Sequence, residues 1–251
     1  MITKVFYCED RPEAILTAIY DAWADSTPNR EIRINLRSEA VQVSFVEIQI
    51  PVESSYEKAE KVLLSVSKRL GFRVHRLIEG ALCAAENDKA DAIFRFLQYA
   101  FSAGHDVSGE YGTPVVMRLF ELDRKARRES HLMLGFTRFS ILPGNIAFAK
   151  IGPVNDVLPL LADHFAERFN TQPFLIYDEK RHRSVVYTPG EKWYFLEGEL
   201  DLSSQLPALA DEYERLWKRY FDSVAIRERF NPVCQRTLCP LHFREYMIEF
   251  K

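Results

Sequence analysis

The sequence predicts an α+β protein: a mainly antiparallel sheet packed with several helices, a helical N-terminal block and a helical C-terminus. Three observations predict it. Stretches such as EIRINLR (31–37) and VSFVEIQI (43–50) alternate with the period of two that half-buried strands need. Longer stretches repeat apolar residues every three or four positions, the period of a helix with one buried side. Beyond residue 135 the order reads strand–strand–helix–strand–strand–strand, an α+β order with mainly antiparallel pairing.

The elements follow in chain order. Residues 3–8 (TKVFYC) read as a first strand. Arg11 to Ala24 reads as a helix, with Asp10 as its cap, Pro12 in its first turn and Ile15, Ala18, Ile19, Ala22 and Trp23 as its apolar side. Pro28-Asn29 breaks it, and residues 31–50 hold one or two strands closed by Pro51. Ser54 or Ser55 caps the next helix, whose apolar positions are Tyr56, Ala59, Val62, Leu63, Val66 and Leu70, with Gly71 at its end. Arg73 to Ala85 and Lys89 to Ala103 read as two more helices. The segment GHDVSGEYGTP (104–114) holds three glycines and few apolar residues, the composition of a linker or a mobile loop.

A long helix opens next. Thr113 suits its cap, Pro114 its first turn and Gly135 a left-handed end. Val115, Leu119, Leu122, Ala126 and Met133 fall on one side of it and should pack on the sheet that follows. Arg124, Arg127, Arg128 and His131 fall on the other, spaced i, i+3, i+4, i+7. Pro143-Gly144 joins FTRFSIL to NIAFAKIG as a hairpin, and Asn155-Asp156 caps a helix over 157–169. Three strands are expected at 173–178, 183–188 and 192–197. Leu206, Leu209, Tyr213, Leu216 and Tyr220 mark a further helix lying on the core, and Asn231-Pro232 breaks it. The tail reads as a short helix or an extended arm. The chain is therefore read as a single α+β domain over 1–251, with an internal boundary at 104–113 between a strand/helix block (1–103) and the remainder (114–251).

Composition narrows the classes. Of 251 residues, 47% are hydrophobic and 27% charged, ordinary for a globular chain and unlike a disordered one. The net charge of −3 confines any nucleic-acid site to a local patch. No apolar run approaches the roughly 20 residues needed to span a bilayer, and acidic residues stand where a signal peptide would be apolar. A cytoplasmic protein without membrane contact is expected, its four cysteines reduced.

Three stretches, ESHLMLGFTRF (129–139), VNDVLPLLADHFAERFNTQPFLIYDEKR (154–181) and LWKRYFDSVAIRERFNPVCQR (216–236), resemble the bacterial DUF4130 family. The resemblance covers most of the chain and is strongest after residue 113. It implies a DNA metabolism or DNA repair protein associated with a DNA modification/repair radical SAM protein. Some members of the family are fused to a uracil-DNA-glycosylase-like domain. One departure is visible: where the family's first strand runs into an Asp-Gly-Thr turn, this chain has Cys8-Glu9-Asp10. No catalytic residue carries over.

The basic face of the long helix is the main candidate for chemistry. Guanidinium forks bind phosphate oxygens, and four cations on about 10 Å of helix match the scale of consecutive phosphates. The alternative is a solvated face paired internally with Glu121 and Asp123. Phe136 and Arg138, on one face of the following strand, would stack a base; alternatively Phe136 is core and Arg138 pairs with an acid. In the run 178–183, Asp178 is a candidate carboxylate and Arg181 a phosphate ligand, or both belong to a plain hairpin loop. Lys218, Arg229 and Arg236 add cations among aromatics near the C-terminus, where Tyr220 reads as core.

Glu129 falls toward the apolar side of its helix, so its carboxylate needs a partner, Arg118 or a backbone donor. With His131, His164 and Asp178 it forms the set of acid–base candidates, although no Ser or Cys nucleophile pairs with His164. Cys234, Cys239 and His242 have poor zinc spacing, and neither a radical SAM cysteine cluster nor a phosphate loop is present. No metal or cofactor is therefore expected. Three functions compete: a DNA-binding accessory working with a radical SAM partner, an enzyme acting on a damaged or modified base or nucleotide, and a protein-interaction module using the seam from Leu206 to Tyr220.

Overall fold

The structure is a computed structural model and describes residues 3–25, 31–37, 47–200, 209–226, 228 and 230–250. The fold is α+β, and the chain divides into two compact units, Met1–Arg127 and Arg128–Lys251.

In the first unit, β1 (Thr3–Cys8) is the centre of a three-stranded sheet, flanked by β2 (Ile32–Leu36) and β3 (Glu47–Pro51). All pairing here is parallel, with Phe6 opposite both Ile34 and Ile50. Parallel neighbours need a crossover, and α1 (Pro12–Ala24) supplies it between β1 and β2. Ile15, Ala18, Ile19 and Ala22 are buried, as their spacing predicts, and Ala14 joins them. Trp23 is not: it is half-exposed, its ring edge-on to Phe94 and Phe101. Asp10 does not cap α1, whose N-cap is Arg11. Its carboxylate instead meets Lys89 Nζ at 2.5 Å.

Three helices complete this core. In α2 (Tyr56–Leu70), Ala59, Val66 and Leu70 are buried while Tyr56, its first residue, is exposed. Gly71, at φ 89°, ends α2 and starts α3 (Phe72–Leu82), which is shorter than expected. α4 (Lys89–Ala103) has the predicted bounds, buries Ile93, Phe94, Phe96 and Leu97, and ends at Gly104, φ 74°. Lys89 is buried at its start, its Nζ also donating to the Ala84 carbonyl at 2.6 Å. The segment 104–113 lies within this unit. Val107 is buried in its core, and the Tyr99 hydroxyl donates to Glu110 at 2.5 Å.

The long helix, α5 (Pro114–Phe136), contains the boundary between the units. Its apolar side divides accordingly: Val116, Leu119 and Leu122 belong to the first core and Met133 to the second. The expectation that the whole stripe packs on the following sheet is thus corrected. Gly135 does not end the helix, which runs to Phe136 and is closed by Thr137, whose N–H and hydroxyl both donate to the Met133 carbonyl.

The second unit holds a five-stranded sheet in the order β4 (Ser140–Leu142), β5 (Ile146–Ile151), β6 (Phe174–Asp178), β7 (Arg183–Tyr187) and β8 (Tyr194–Glu197). It is mainly antiparallel; β5 and β6 are parallel and α6 (Leu158–Arg168) crosses between them. Residues 136–139, expected as strand, are not part of β4. Phe136 finishes α5, so pairing starts only at Ser140. Gly144 and Asn145 both adopt positive φ, the hairpin geometry that Pro143-Gly144 announces.

Leu158, Leu161, Ala162 and Phe165 of α6 are buried against Ala147, Ile151, Phe174 and Ile176. α7 (Leu209–Val224), α8 (Pro232–Leu238), α9 (Leu241–Arg244) and a 3-10 turn (Ile248–Phe250) follow. Asn231 caps α8, its side chain accepting from the N–H groups of Val233 and Cys234. Tyr220 is exposed rather than core, because α7 turns Phe221 toward Phe250 instead. Leu206 lies outside the described residues, and the side chains of Leu209 and Tyr213 do so as well.

Candidate functional site

The acid–base candidates are built into the scaffold of the second unit or stand exposed on it. Glu129 is buried. Its Oε1 accepts from the Val154 N–H at 2.8 Å, and its Oε2 accepts from the Asn155 N–H at 2.7 Å and Asn155 Nδ2 at 2.5 Å. All three donors lie on the loop between β5 and α6. Of the two partners expected, the backbone donors are the ones found; Arg118 is engaged by Asp88 and Glu121. Asn155 and Asp156, expected as helix caps, are used otherwise: Asn155 meets Glu129, and Asp156 pairs with Arg183.

Asp178, fully buried at the end of β6, reaches the same loop through Arg181. It accepts from the Lys180 N–H at 3.0 Å and pairs with Arg181 at 2.9 Å. Burial pushes its carboxyl above the ordinary value, against the opposing pull of Arg181. Arg181 donates in turn to the Val154 carbonyl at 2.6 Å. Glu129 thus holds the loop by its N–H groups and Arg181 holds it by a carbonyl. His131 and His164 are exposed, His164 lying 5.3 Å from the Phe165 ring.

The cations fall into two groups. Arg138, Arg181 and Arg127 are engaged. Arg138 meets Glu249 at 2.6 Å and lies over the Trp217 ring at 5.4 Å, while Phe136 packs on Phe243 at 5.4 Å. Arg127 Nε donates to Asp123 at 2.6 Å and its Nη2 to the Arg76 carbonyl at 2.6 Å. Arg124, Arg128 and His131 form the second group: all are exposed, and none has a hydrogen bond or ion pair among the described residues. The acids that would neutralise them are occupied, Glu121 by Arg118 and Asp123 by Arg127. Lys218 is half-buried on α7, and Arg236 is exposed with Nε on the Pro232 carbonyl at 3.2 Å. Arg229 lies outside the described residues. Among the described residues no group of three His, Cys, Asp or Glu is placed to hold a metal. No described helix is long and apolar enough to cross a membrane.

Burial pushes the Cys8 thiol up to about 12, with Asp10 adding to the effect, so it stays protonated at neutral pH.

Sequence reasoning missed the cations of α3. Phe72, Arg73 and Arg76 stand exposed on its first two turns and line a pocket of about 310 Å³ with Ser108, Asp123 and Arg127. α3 approaches α5 closely at Gly80, where any side chain would collide with Asp123. The spacing of Arg73 and Arg76 was visible in FRVHR, but nothing local showed that Arg127 would come beside Arg76.

The fold and these surfaces define an α+β protein with buried, hydrogen-bonded carboxylates in its second unit and, among the described residues, exposed cations on its helices. The chain belongs to the DUF4130 family, a domain of unknown function, whose family model matches residues 87–249. No curated protein matches the chain. Among solved structures it is similar to a DHH domain described as a member of the s1p family of ribosomal proteins. That likeness has a TM-score of 0.33 at 10% identity, over 75% of this chain and 74% of the other, too slight to define a fold.

Proposed function

We propose that the protein binds DNA through the basic face of α5 and serves as an accessory in DNA metabolism or repair alongside a radical SAM protein. One observation carries the binding: Arg124 and Arg128, one helical turn apart, are exposed while the neighbouring acids pair with Arg118 and Arg127. A solvated face compensated from within would have used those acids on Arg124 and Arg128. Unpaired guanidinium groups release DNA counterions without first breaking internal pairs. The radical SAM partner follows from the family resemblance and is tested by co-purification of the two proteins from cells making both.

The binding test measures fluorescence anisotropy of labelled single- and double-stranded oligonucleotides between 50 and 200 mM salt, a span over which phosphate contacts weaken markedly. Affinity should fall with salt, by a log–log slope of about 0.9 per phosphate contact on duplex and about 0.7 on single strands. Replacing Arg124 and Arg128 by Ala should flatten that slope by roughly two contacts. Absence of binding at low salt, or an unchanged slope in the double variant, refutes the proposal.

A specific observation favours one second reading, a protein partner on α7. Leu216, Tyr220 and Val224 recur every four residues and are all exposed. Tyr220→Glu should then abolish co-purification of the partner while leaving oligonucleotide binding unchanged. The enzymatic reading has no comparable support, since the oxygens of Glu129 and Asp178 are taken up by the loops they hold.

A further inference from the structure

We propose that the pocket between α3, the 104–113 segment and α5 in the first unit binds a nucleoside 5′-phosphate group. Four features of the pocket support this. The first is charge: three guanidinium groups, of Arg73, Arg76 and Arg127, face one carboxylate, Asp123. That carboxylate is hydrogen-bonded by Arg127 Nε at 2.6 Å and also feels the Arg76 charge, which leaves the three cations in excess over it. Arg73 has only a long contact, 3.3 Å, to the Tyr111 hydroxyl, and the Arg76 side chain has no hydrogen bond among the described residues. They stand three residues apart near the N-terminal end of α3, where the helix dipole adds to the positive potential.

The second feature is an aromatic surface beside those cations. Phe72 is 70% exposed and lines the pocket. Phe120 lines the same pocket, with Tyr111 at 5.1 Å from its ring. A base stacks on such a ring whatever its hydrogen-bonding edge. The third feature is Ser108. It lines the pocket, is fully buried, and its Oγ has no hydrogen-bond partner among the described residues. A buried hydroxyl left without a partner is costly, and a phosphate or sugar oxygen would satisfy it.

The fourth feature is size. At about 310 Å³ the pocket lies at the lower end of small-molecule sites, which begin near 300 Å³, and suits one nucleotide rather than a duplex. Arg73 and Arg76 would take the phosphate, Phe72 the base and Ser108 Oγ a remaining oxygen. The group has two sources: a free nucleoside monophosphate, or the 5′-phosphorylated end of a strand. The site is separate from the exposed cations of α5 and does not depend on their binding a duplex.

The test titrates the full chain with a nucleoside 5′-monophosphate, the matching nucleoside, inorganic phosphate, and a short single strand with and without its 5′-phosphate. Binding is followed by amide chemical shifts of residues 72–77 and 108. The monophosphate should bind more tightly than either inorganic phosphate or the nucleoside. Arg76→Ala should weaken it about tenfold, as the loss of one charged phosphate contact does. Phe72→Ala should weaken it by a similar factor while leaving inorganic phosphate unaffected. Both residues are exposed, so neither variant threatens the fold. A strand that binds better with its 5′-phosphate than the free monophosphate does assigns the site to strand ends. The reverse order assigns it to free nucleotides, and each result supports the site. Equal affinity for monophosphate and inorganic phosphate, no binding of either nucleotide source, or indifference to Phe72→Ala overturns it. Arg124→Ala with Arg128→Ala should leave monophosphate binding intact, so failure of this pocket and failure of the α5 surface are read separately.

Discussion

Two carboxylates show how one residue's surroundings decide its use. Glu129 was legible as unusual because its helical position conflicts with its charge. Its partners were not legible, since Val154 and Asn155 reach it only once β5 and α6 have formed. Removing the carboxylate strands three donors on the loop between β5 and α6. Glu129→Ala should therefore lower stability by about 3 kcal/mol in urea denaturation, far above the effect of a surface change. Glu249 gives the complementary case. Burial alone would raise its carboxyl, but the Arg138 guanidinium, a backbone hydrogen bond and the Trp217 side chain together hold it below the ordinary value of 4.5. Between the two values the unfolded chain takes up the proton more readily than the folded one, so stability rises with pH across that window. The contribution is complete above 4.5 and is lost as pH falls through the lowered folded value. Denaturation at a series of pH values should show Glu249→Gln less stable by about 2 kcal/mol at neutral pH, with the gap closing under acid. A gap that stays constant with pH would mean that the Arg138 pair contributes nothing.

At the scale of elements, periodicity was reliable where one helix serves one core. Lys89 to Ala103 has its predicted bounds because Ile93, Phe96 and Leu97 face a single core and Gly104 supplies the left-handed end. α5 shows the limit. Its apolar stripe was correctly placed, yet the stripe serves two cores in succession, and a wheel cannot show that change of partner. The strand expected at 136–139 failed for a related reason. Alternation of Phe136 and Arg138 imitates a strand, whereas the helical hydrogen bonds continue until Thr137 closes them on Met133. Candidate sites were least legible of all. The basic face of α5 is a property of one helix and could be read directly. The pocket beside it joins Arg73 and Arg76 of α3 to Ser108 and Arg127, which no local pattern relates. Ser108 also lies in the glycine-bearing segment whose composition resembles a linker.

At the scale of the molecule, the family span and the units of folding do not coincide. The family model begins at residue 87, just before α4, whereas the first unit begins at the N-terminus and ends at Arg127. The first core draws on β1, β2 and α1 through α5, from Phe6 to Leu122. Ile93, Phe94, Phe96 and Leu97 of α4 are buried in that core and would be exposed if residues 1–86 were removed. Burial of such side chains contributes about 1.5–3 kcal/mol each, more than a small helical remnant can forgo. A fragment of residues 1–131 keeps the first core whole and stops before Met133, which belongs to the second. It should therefore unfold cooperatively in urea and resist protease. In a fragment limited to the family span 87–249, the same protease should cut within α4 while the second unit persists. If α4 is protected in the 87–249 fragment, or if 1–131 shows no cooperative transition, the first core is not a folding unit, and the family span is the better description of how the chain is built.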